Sequence, residues 1–463
     1  MSPRRSARAD AAAELNTSAL ASLPLPLAQR VFLLLPVDSR ARAACVCRAW
    51  RAVLADPALW TRLDVSDKSD IAAALDVDAV LRAASARAAG RLHTLSVDRT
   101  TVHVDAALLL QVLAANADSL RELHVGDWFA YVEEPQPALE ALLRTAPRLL
   151  VLGAGVICAP ELAMRLMRAE SPFVPLRLTS LGITFTADSD RDGGPGGNNQ
   201  VVARFAALLS DAALQPQLEG VGVSTKDLVE PIVADAIVSA ALTRGLSSLS
   251  FSGFRPPAAE PLARLLSAGK LRHLLFNVAR RGPLFDAASA AAVADALRVN
   301  TSLCSLKLIW ADAFGGTSGG LAVLDALVGH PNLDTLMIIA ERRTADRDTD
   351  AFAIALGALV AADAPALQKL TISCSALGDD GLRLLVDALP ANRHLRELDC
   401  QGNNMSEEFA RDHLLPAVRA NTGLRALVAN YSGLYLPSDR YLAPLPAAAE
   451  AEELVRRRTA LQG

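Results

Sequence analysis

The sequence predicts an α/β solenoid: stacked strand–helix units with parallel strands on the concave face and helices outside, preceded by a small all-α segment. Three observations predict it. A pattern L-x-x-L-x-L, with aliphatic substitutes, recurs through most of the 463 residues. Helical runs lie between the copies, as in residues 381–389, where Leu382, Leu385, Val386 and Leu389 stand at i, i+3, i+4 and i+7. Aromatics are only 4% against 51% hydrophobic residues, so the core must be aliphatic. Such a core suits many small, similar units better than one large domain.

The copies begin at Leu92, Leu120, Leu149, Leu178, Leu218, Leu246, Leu271, Leu303, Leu333, Leu367, Leu395 and Leu424. Successive starts are most often 28 or 29 residues apart. Each copy reads as a short strand with inward leucines. One strand and one helix cannot bury their own apolar faces, whereas stacked units share a continuous core. Over residues 63–436 the pattern resembles the leucine-rich repeat family, in its longer ribonuclease-inhibitor-like class. That family usually has Asn or Cys five residues after the second Leu, where the side chain satisfies backbone groups in the turn. Here Asn403 fits, and Ser375, Ser432, Thr100 and Thr186 are weaker substitutes. Trp128, Ile157, Phe254, Ala311 and Glu341 cannot do that job, so an irregular solenoid with wet or uneven turns is expected.

One step between copies is 40 residues and holds an insertion loop, 187–200, rich in Asp, Gly and Asn. It is too polar to bury enough surface to order itself. Residues 1–20 read as a disordered leader, and 437–463 as a tail or capping helix.

Residues 21–62 read as three short helices with more apolar surface than so small a unit can hide. Pro26 can open the first helix, and Leu27, Val31, Leu34 and Leu35 then form one buried stripe, with Phe32 and Leu33 lying off it. Asp38 or Ser39 caps the second helix, whose buried face is Ala43, Cys47 and Trp50. The elements Leu23-Pro24, Val46-Cys47-Arg48-Ala49-Trp50 and Asp56-Pro57-Ala58-Leu59-Trp60 resemble the F-box. Two positions depart from that family's pattern. Pro26 stands where an acidic residue is common, and Ser39 and Arg40 stand where leucines are usual.

The resemblance implies a role in an SCF-type (cullin–RING) ubiquitin ligase. The F-box would dock a Skp-type adaptor, and through it a cullin. Pro24, Leu27, Val31, Phe32, Leu35, Val46 and Trp50 would supply or support that contact. The repeats would hold a target protein, whose identity the sequence does not give. Side chains flanking the strand leucines alternate toward the concave face. From Leu218 and Leu246 they are the nearly bare Gly220, Gly222, Ser224, Ser248, Ser250 and Ser252. From the next three copies they include His273, Leu275, Lys307, Ile309, Met337 and Ile339, with Trp310 just beyond. These are the better candidates for target binding. The competing expectation is that the insertion or the tail folds back over that patch.

Lys and Arg number 46 against 50 Asp and Glu, a net charge of −4, which is not the balance of a chain that neutralises nucleic-acid phosphates. The six cysteines are too few for a disulfide scaffold and suggest a cytoplasmic or nuclear setting. The longest charge-free apolar run, residues 351–362, is too short for the roughly 20 residues that cross a bilayer. Asp188-x-Asp-x-Asp-Gly193 resembles the start of a calcium loop, but the twelfth position is Asn199 and Pro195 interrupts it. The seven histidines show no ligand spacing. No metal, cofactor or catalytic residue is expected. Two other readings remain: a repeat scaffold or inhibitor outside any ligase, and a GTPase-activating repeat protein.

Overall fold

The computed structural model of the chain describes residues 23–35, 37–65, 77–97, 105–124, 140, 143, 146–153, 157–158, 160–168, 177–185, 197–254, 258–278, 287–309, 318–339, 349–373, 375–430 and 445–462. They fall into two compact units, 1–184 with 214–218, and 185–213 with 219–463.

The first unit opens with helices α1 (Leu25–Leu33), α2 (Val37–Ala43) and α3 (Arg48–Val53) and a 3-10 turn at Pro57–Trp60. Pro26 sits in the first turn of α1, where a missing N–H costs nothing. α2 begins at Val37, one residue ahead of the expected cap at Asp38 or Ser39. Strands β1 (Arg62–Asp64), β2 (Thr94–Ser96), β3 (Glu122–His124), β4 (Val151–Gly153) and β6 (Ser180–Phe185) follow in sequence order as parallel neighbours. A two-residue strand, β5 (Ile157–Cys158), pairs off that path with β6. Helices at Val77–Ala88, Ala106–Ala115 and Pro160–Arg168 lie between the strands, as parallel pairing requires of its crossovers. The second motif leucine of each copy sits in register with the next: Leu63, Leu95, Leu123, Leu152 and Leu181, all buried.

The second unit repeats the plan. Its strands are β7 (Gly220–Val229), β8 (Ser248–Phe254), β9 (His273–Val278), β10 (Ser305–Ile309), β11 (Thr335–Ile339), β12 (Lys369–Ser373), β13 (Glu397–Asp399) and β14 (Ala426–Val428), again parallel and in chain order. A helix fills each interval. The buried row here is Val221, Leu249, Leu274, Leu306, Leu336, Leu370, Leu398 and Leu427. The architecture is therefore a helical N-terminal region followed by parallel strand–helix repeats, as in an α/β solenoid. Every one of the twelve motif copies leads into a strand.

The strand face is one half of each repeat; the backbone groups in the turns are the other. Asn403 is buried, and its Nδ2 donates to the carbonyls of Ile372 at 2.6 Å and Cys400 at 2.9 Å. Its Oδ1 accepts from the Ser375 N–H at 2.9 Å. Ser375, one repeat earlier, also bonds turn backbone with its own side chain, its Oγ donating to the Ser373 carbonyl at 3.3 Å. Phe254, where such a side chain is impossible, is buried among aromatic rings. Its ring meets Phe251 at 5.4 Å, and Phe251 stacks on Phe276 at 5.2 Å. Gly253 beside it has φ +84°, and a Cβ there would lie 2.1 Å from the Thr225 carbonyl oxygen. Trp128, Ala311, Glu341, Ser432, Thr100 and Thr186 lie outside the described residues, as does the Ile157 side chain.

A second set of buried polar side chains, absent from the sequence reading, stands just ahead of the strand motifs. Asn300 accepts from the Leu303 N–H at 2.8 Å and donates to the Leu266 carbonyl at 2.5 Å. Asn392 accepts from the Leu395 N–H at 2.8 Å and donates to the Val360 carbonyl at 2.8 Å. Asn421 accepts from the Leu424 N–H at 2.9 Å and donates to the Leu389 carbonyl at 2.6 Å. Each therefore ties the turn of its own repeat to the helix end of the one before. In the first unit Asn116 does related work, accepting from the Leu92 N–H at 3.1 Å. His330 takes the same place with a ring: its Nδ1 accepts from the Leu333 N–H at 3.1 Å.

Of the expected insertion loop, residues 197–200 are helical, within the helix Gly197–Ser210, and Asn199 Oδ1 accepts from the Glu230 N–H at 3.2 Å. Residues 187–196 lie outside the described residues. The helix Pro446–Gln462 packs on β14. There Arg458 donates to the carbonyls of Val418 at 2.7 Å and Asn421 at 2.8 Å, and Glu452 accepts from the N–H groups of Ala429 and Asn430 at 2.7 and 2.8 Å.

Two predictions follow from these side-chain ladders. Asn392→Ala removes the acceptor of the His394 and Leu395 N–H groups and one of the two donors to the Val360 carbonyl. It should destabilise the second unit by about 2–3 kcal/mol, read as a shift in the urea-unfolding curve. Burial holds the His330 imidazole below the ordinary histidine range, and a backbone contact with Asn300 opposes this only in part. The unfolded chain therefore takes up the proton first. The stability His330 contributes is complete above its unfolded pKa of about 6.5 and is lost as pH falls from there toward the folded value. His330→Asn keeps the acceptor and removes the titration, so its melting temperature should fall less between neutral and mildly acidic pH than that of the parent protein.

Candidate protein-docking surfaces

The N-terminal trio has one inner face, and the structure fills it differently from the expected stripe. In α1 the inward pair is Ala28 and Phe32, each 2% exposed, at i and i+4. Phe32 meets Trp50 edge to face, with ring centroids 5.5 Å apart. Leu54, Leu59 and Trp60 complete that interior, and the Trp60 indole N–H donates to the Leu54 carbonyl at 2.7 Å. The Arg87 guanidinium lies over the Trp60 ring, 4.8 Å from its centroid, and fastens the trio to the helix Val77–Ala88.

Two polar side chains hold the trio's loops. Asp56 caps the 3-10 turn by accepting from the Ala58 N–H at 2.9 Å and takes a second bond from Gln29 Nε2 at 2.5 Å. Arg40 is buried; its Nε donates to the Leu35 carbonyl at 2.9 Å and its Nη1 to the Leu59 carbonyl. Desolvation pushes the pKa of this guanidinium down. The arginine that departs from the F-box pattern thus replaces leucine packing by two backbone bonds.

The stripe expected to be buried faces outward instead. Leu27, Val31 and Leu34 are exposed, Leu34 at 84%, and Leu35 is half-buried. Leu23, Leu25, Leu33 and Val46 are exposed beside them. The reason is geometric: Phe32 is the largest apolar side chain of α1, and with Ala28 it leaves the inner face no room for four more. Of the seven residues expected to serve the adaptor, Pro24, Leu27, Val31 and Val46 are exposed, and Leu35 and Trp50 are half-buried. Phe32 is internal, where it can support that surface but not line it. The expected second stripe holds partly: Ala43 is buried, Cys47 and Trp50 only half so. The Trp50 indole N–H is buried with no acceptor among the described residues. Leu25 and Leu34 belong to the outer face and were missed as such; the signal was the excess of leucines over what one stripe can bury.

The second expected surface lies in the second unit. His273 is exposed, and Leu275, Lys307, Ile309 and Met337 are half-buried on the strand face turned from the core. They sit together: Leu275, Lys307 and Met337 form one register row across β9, β10 and β11. Ile339 is a correction, since it is only 2% exposed. Alternation stops at the C-terminal ends of β8, β11 and β12, where successive residues are all buried, so the last strand position faces packed structure on both sides. Trp310 lies outside the described residues. Gly222, Ser224, Ser248, Ser250 and Ser252 are half-buried on β7 and β8, and Gly220 is buried. The tail helix Pro446–Gln462 covers β14, not this patch.

Among the described residues no group of three or more His, Cys, Asp or Glu could hold a metal ion, and no helix is long and apolar enough to cross a membrane.

The geometry defines a small helical domain with an exposed apolar face, followed by parallel strand–helix repeats. The F-box-like family model matches residues 20–66, so this N-terminal region is an F-box-like domain. No curated protein matches the chain.

The inner and outer faces of α1 should respond oppositely to substitution. Phe32→Ala should cost about 3–5 kcal/mol and melt the trio, whereas Leu34→Asp should change stability by no more than about 0.5 kcal/mol. Thermal unfolding of the two variants followed by Trp fluorescence checks this.

Proposed function

We propose that the protein is a substrate-recognition subunit of an SCF-type ubiquitin ligase. The F-box-like domain docks a Skp-type adaptor, and through it a cullin, while the repeats hold a target protein. The chain supplies position: it brings the target to the conjugating machinery carried by other subunits, and proximity raises the rate. The observation that carries the reading is the outer face of the F-box-like domain. Its leucines and valines stay exposed although the domain's own interior is already filled. Burying Leu27, Val31, Leu34 and Val46 at about 1.5–3 kcal/mol each would anchor a stable complex, even after the cost of association. This reading implies the cytosol or the nucleus as the site of action.

The contact of Trp60 with Arg87 favours a second reading, in which the trio is only a lid on the first repeat. Capture by a purified Skp-type adaptor separates the two. The intact chain should co-elute with the adaptor, and Leu27→Asp with Val31→Asp should weaken capture by about 100-fold or more while the unfolding midpoint stays within a degree or two. An adaptor that ignores the intact chain would leave the lid.

A further inference from the structure

The first unit carries charge along one edge of its sheet. Just before the first motif leucine of successive copies stand Arg91, Ser119, Arg148 and Arg177, and the copy with serine there has Arg121 two residues on. All four arginines are exposed. The backbone fixes their common place. The Arg121 N–H donates to the His93 carbonyl, the Leu150 N–H to the Arg121 carbonyl and the Thr179 N–H to the Leu150 carbonyl, each at 2.8 Å. The chain thus enters β2, β3, β4 and β6 side by side, and each entry presents one guanidinium.

Among the described residues none of these four side chains has an ion pair or a hydrogen bond. The acids beside them do not cancel the row. Asp118 is exposed one residue before Ser119, and Glu122 is half-buried after Arg121 and accepts from the Thr94 hydroxyl at 3.1 Å. Strand β1 adds one charge of each sign, Arg62 and Asp64. Four arginines against two carboxylates leave a positive excess, in a chain whose net charge is −4. In the second unit the position before the first motif leucine holds one lysine, Lys270, and no arginine. The row is therefore a feature of the first unit and not of the repeat as such.

The spacing narrows what this edge can hold. Neighbouring strands lie about 4.8 Å apart, so four entries span about 14–15 Å. An extended polypeptide rises about 3.3 Å per residue and puts alternate side chains on one side, about 6.6 Å apart. Three carboxylates in five residues then cover the row, and the flexible length of arginine takes up the mismatch. Each rung offers a single guanidinium, which suits a series of single charges, whereas a phosphate is served by a cluster converging on one point. Among the described residues no aromatic side chain is exposed, so this edge presents no platform on which bases would stack.

We propose that this edge docks an extended acidic segment of another protein, with Asp or Glu at alternate positions. The carboxylates pair with Arg91, Arg121, Arg148 and Arg177, whose planar forks match a carboxylate with two parallel bonds. Charge complementarity of this kind gives specificity and speed of encounter more than raw affinity, and salt weakens it. The inference goes beyond the ligase reading and does not rest on it, since it uses the strand entries of the first unit and none of the α1 leucines.

Fluorescence anisotropy on the full chain at low salt tests it, with labelled peptides of alternating Glu and Ser and of alternating Gln and Ser. The Glu–Ser peptide should bind about tenfold more tightly than the Gln–Ser peptide. Arg148→Gln with Arg177→Gln, shown to unfold at the parent midpoint, should abolish that preference. Arg264→Gln with Arg383→Gln removes the same charge from exposed helix positions of the second unit and should keep it. Equal binding of the two peptides overturns the proposal. So does a preference that survives the first pair of substitutions, or one that both pairs remove alike, which marks overall charge alone. A labelled single-stranded oligothymidylate that binds more tightly than the Glu–Ser peptide also overturns it, in favour of nucleic acid.

Discussion

A parallel strand and its crossover helix cannot satisfy themselves. Each unit leaves one apolar flank and a set of turn carbonyls and N–H groups that only a neighbour can cover. Within the second unit Asn300, Asn392 and Asn421 meet that demand by bonding across to the preceding repeat. A run of such units also needs an ending that is not a repeat. At β14 the helix Pro446–Gln462 provides it, with Glu452 and Arg458 standing in for the groups a further repeat would bring. At β1 the N-terminal trio does so, with Leu59 and Trp60 packed inward and Arg87 laid over the indole.

That demand fixes what the trio can offer elsewhere. Its largest apolar groups, Phe32, Leu54, Leu59 and Trp60, are consumed by its own interior and by the first repeat. Among the described residues Leu25, Leu27, Val31 and Leu33 of α1, and Leu34 just after it, stay exposed. Being a lid and being a plug are therefore compatible roles, carried by opposite sides of the same forty or so residues. Arg40 shows how a departure from the family's pattern is absorbed. Its long side chain reaches two carbonyls, so the loops either side of α2 are held by hydrogen bonds where leucines would hold them by packing.

Much of this was legible in the sequence, for a physical reason. The motif leucines alternate with period two inside each strand, and a one-residue slip would turn every one of them to the solvent, so pattern dictates register. The placement of the α1 stripe was not legible. Leu27, Val31 and Leu34 carry the spacing of a core face, and hydrophobic spacing cannot say whether the apolar partner is in the same chain or another. The asparagine ladder failed differently. Asn300, Asn392 and Asn421 each stand three residues before a motif leucine, a regular signal in plain view. Asparagine between a helix and a strand reads locally as a turn residue, and only its bond to the preceding repeat reveals the structural role. Ile339 was misplaced because alternation was carried to the strand's last position, where the sheet face is no longer open.

The exposed faces of the two units obey different physics. The outer face of α1 is aliphatic, so burial of apolar area governs any contact it makes. Added salt leaves such an interaction intact, and strongly excluded salts strengthen it. The face of β9 and β10 carries Arg272 and Lys307 at partly solvated positions. Screening over a length of about 10 Å at 0.1 M salt reaches such charges directly. A contact made through those charges would weaken with added salt, whereas one made by burying the α1 leucines would not.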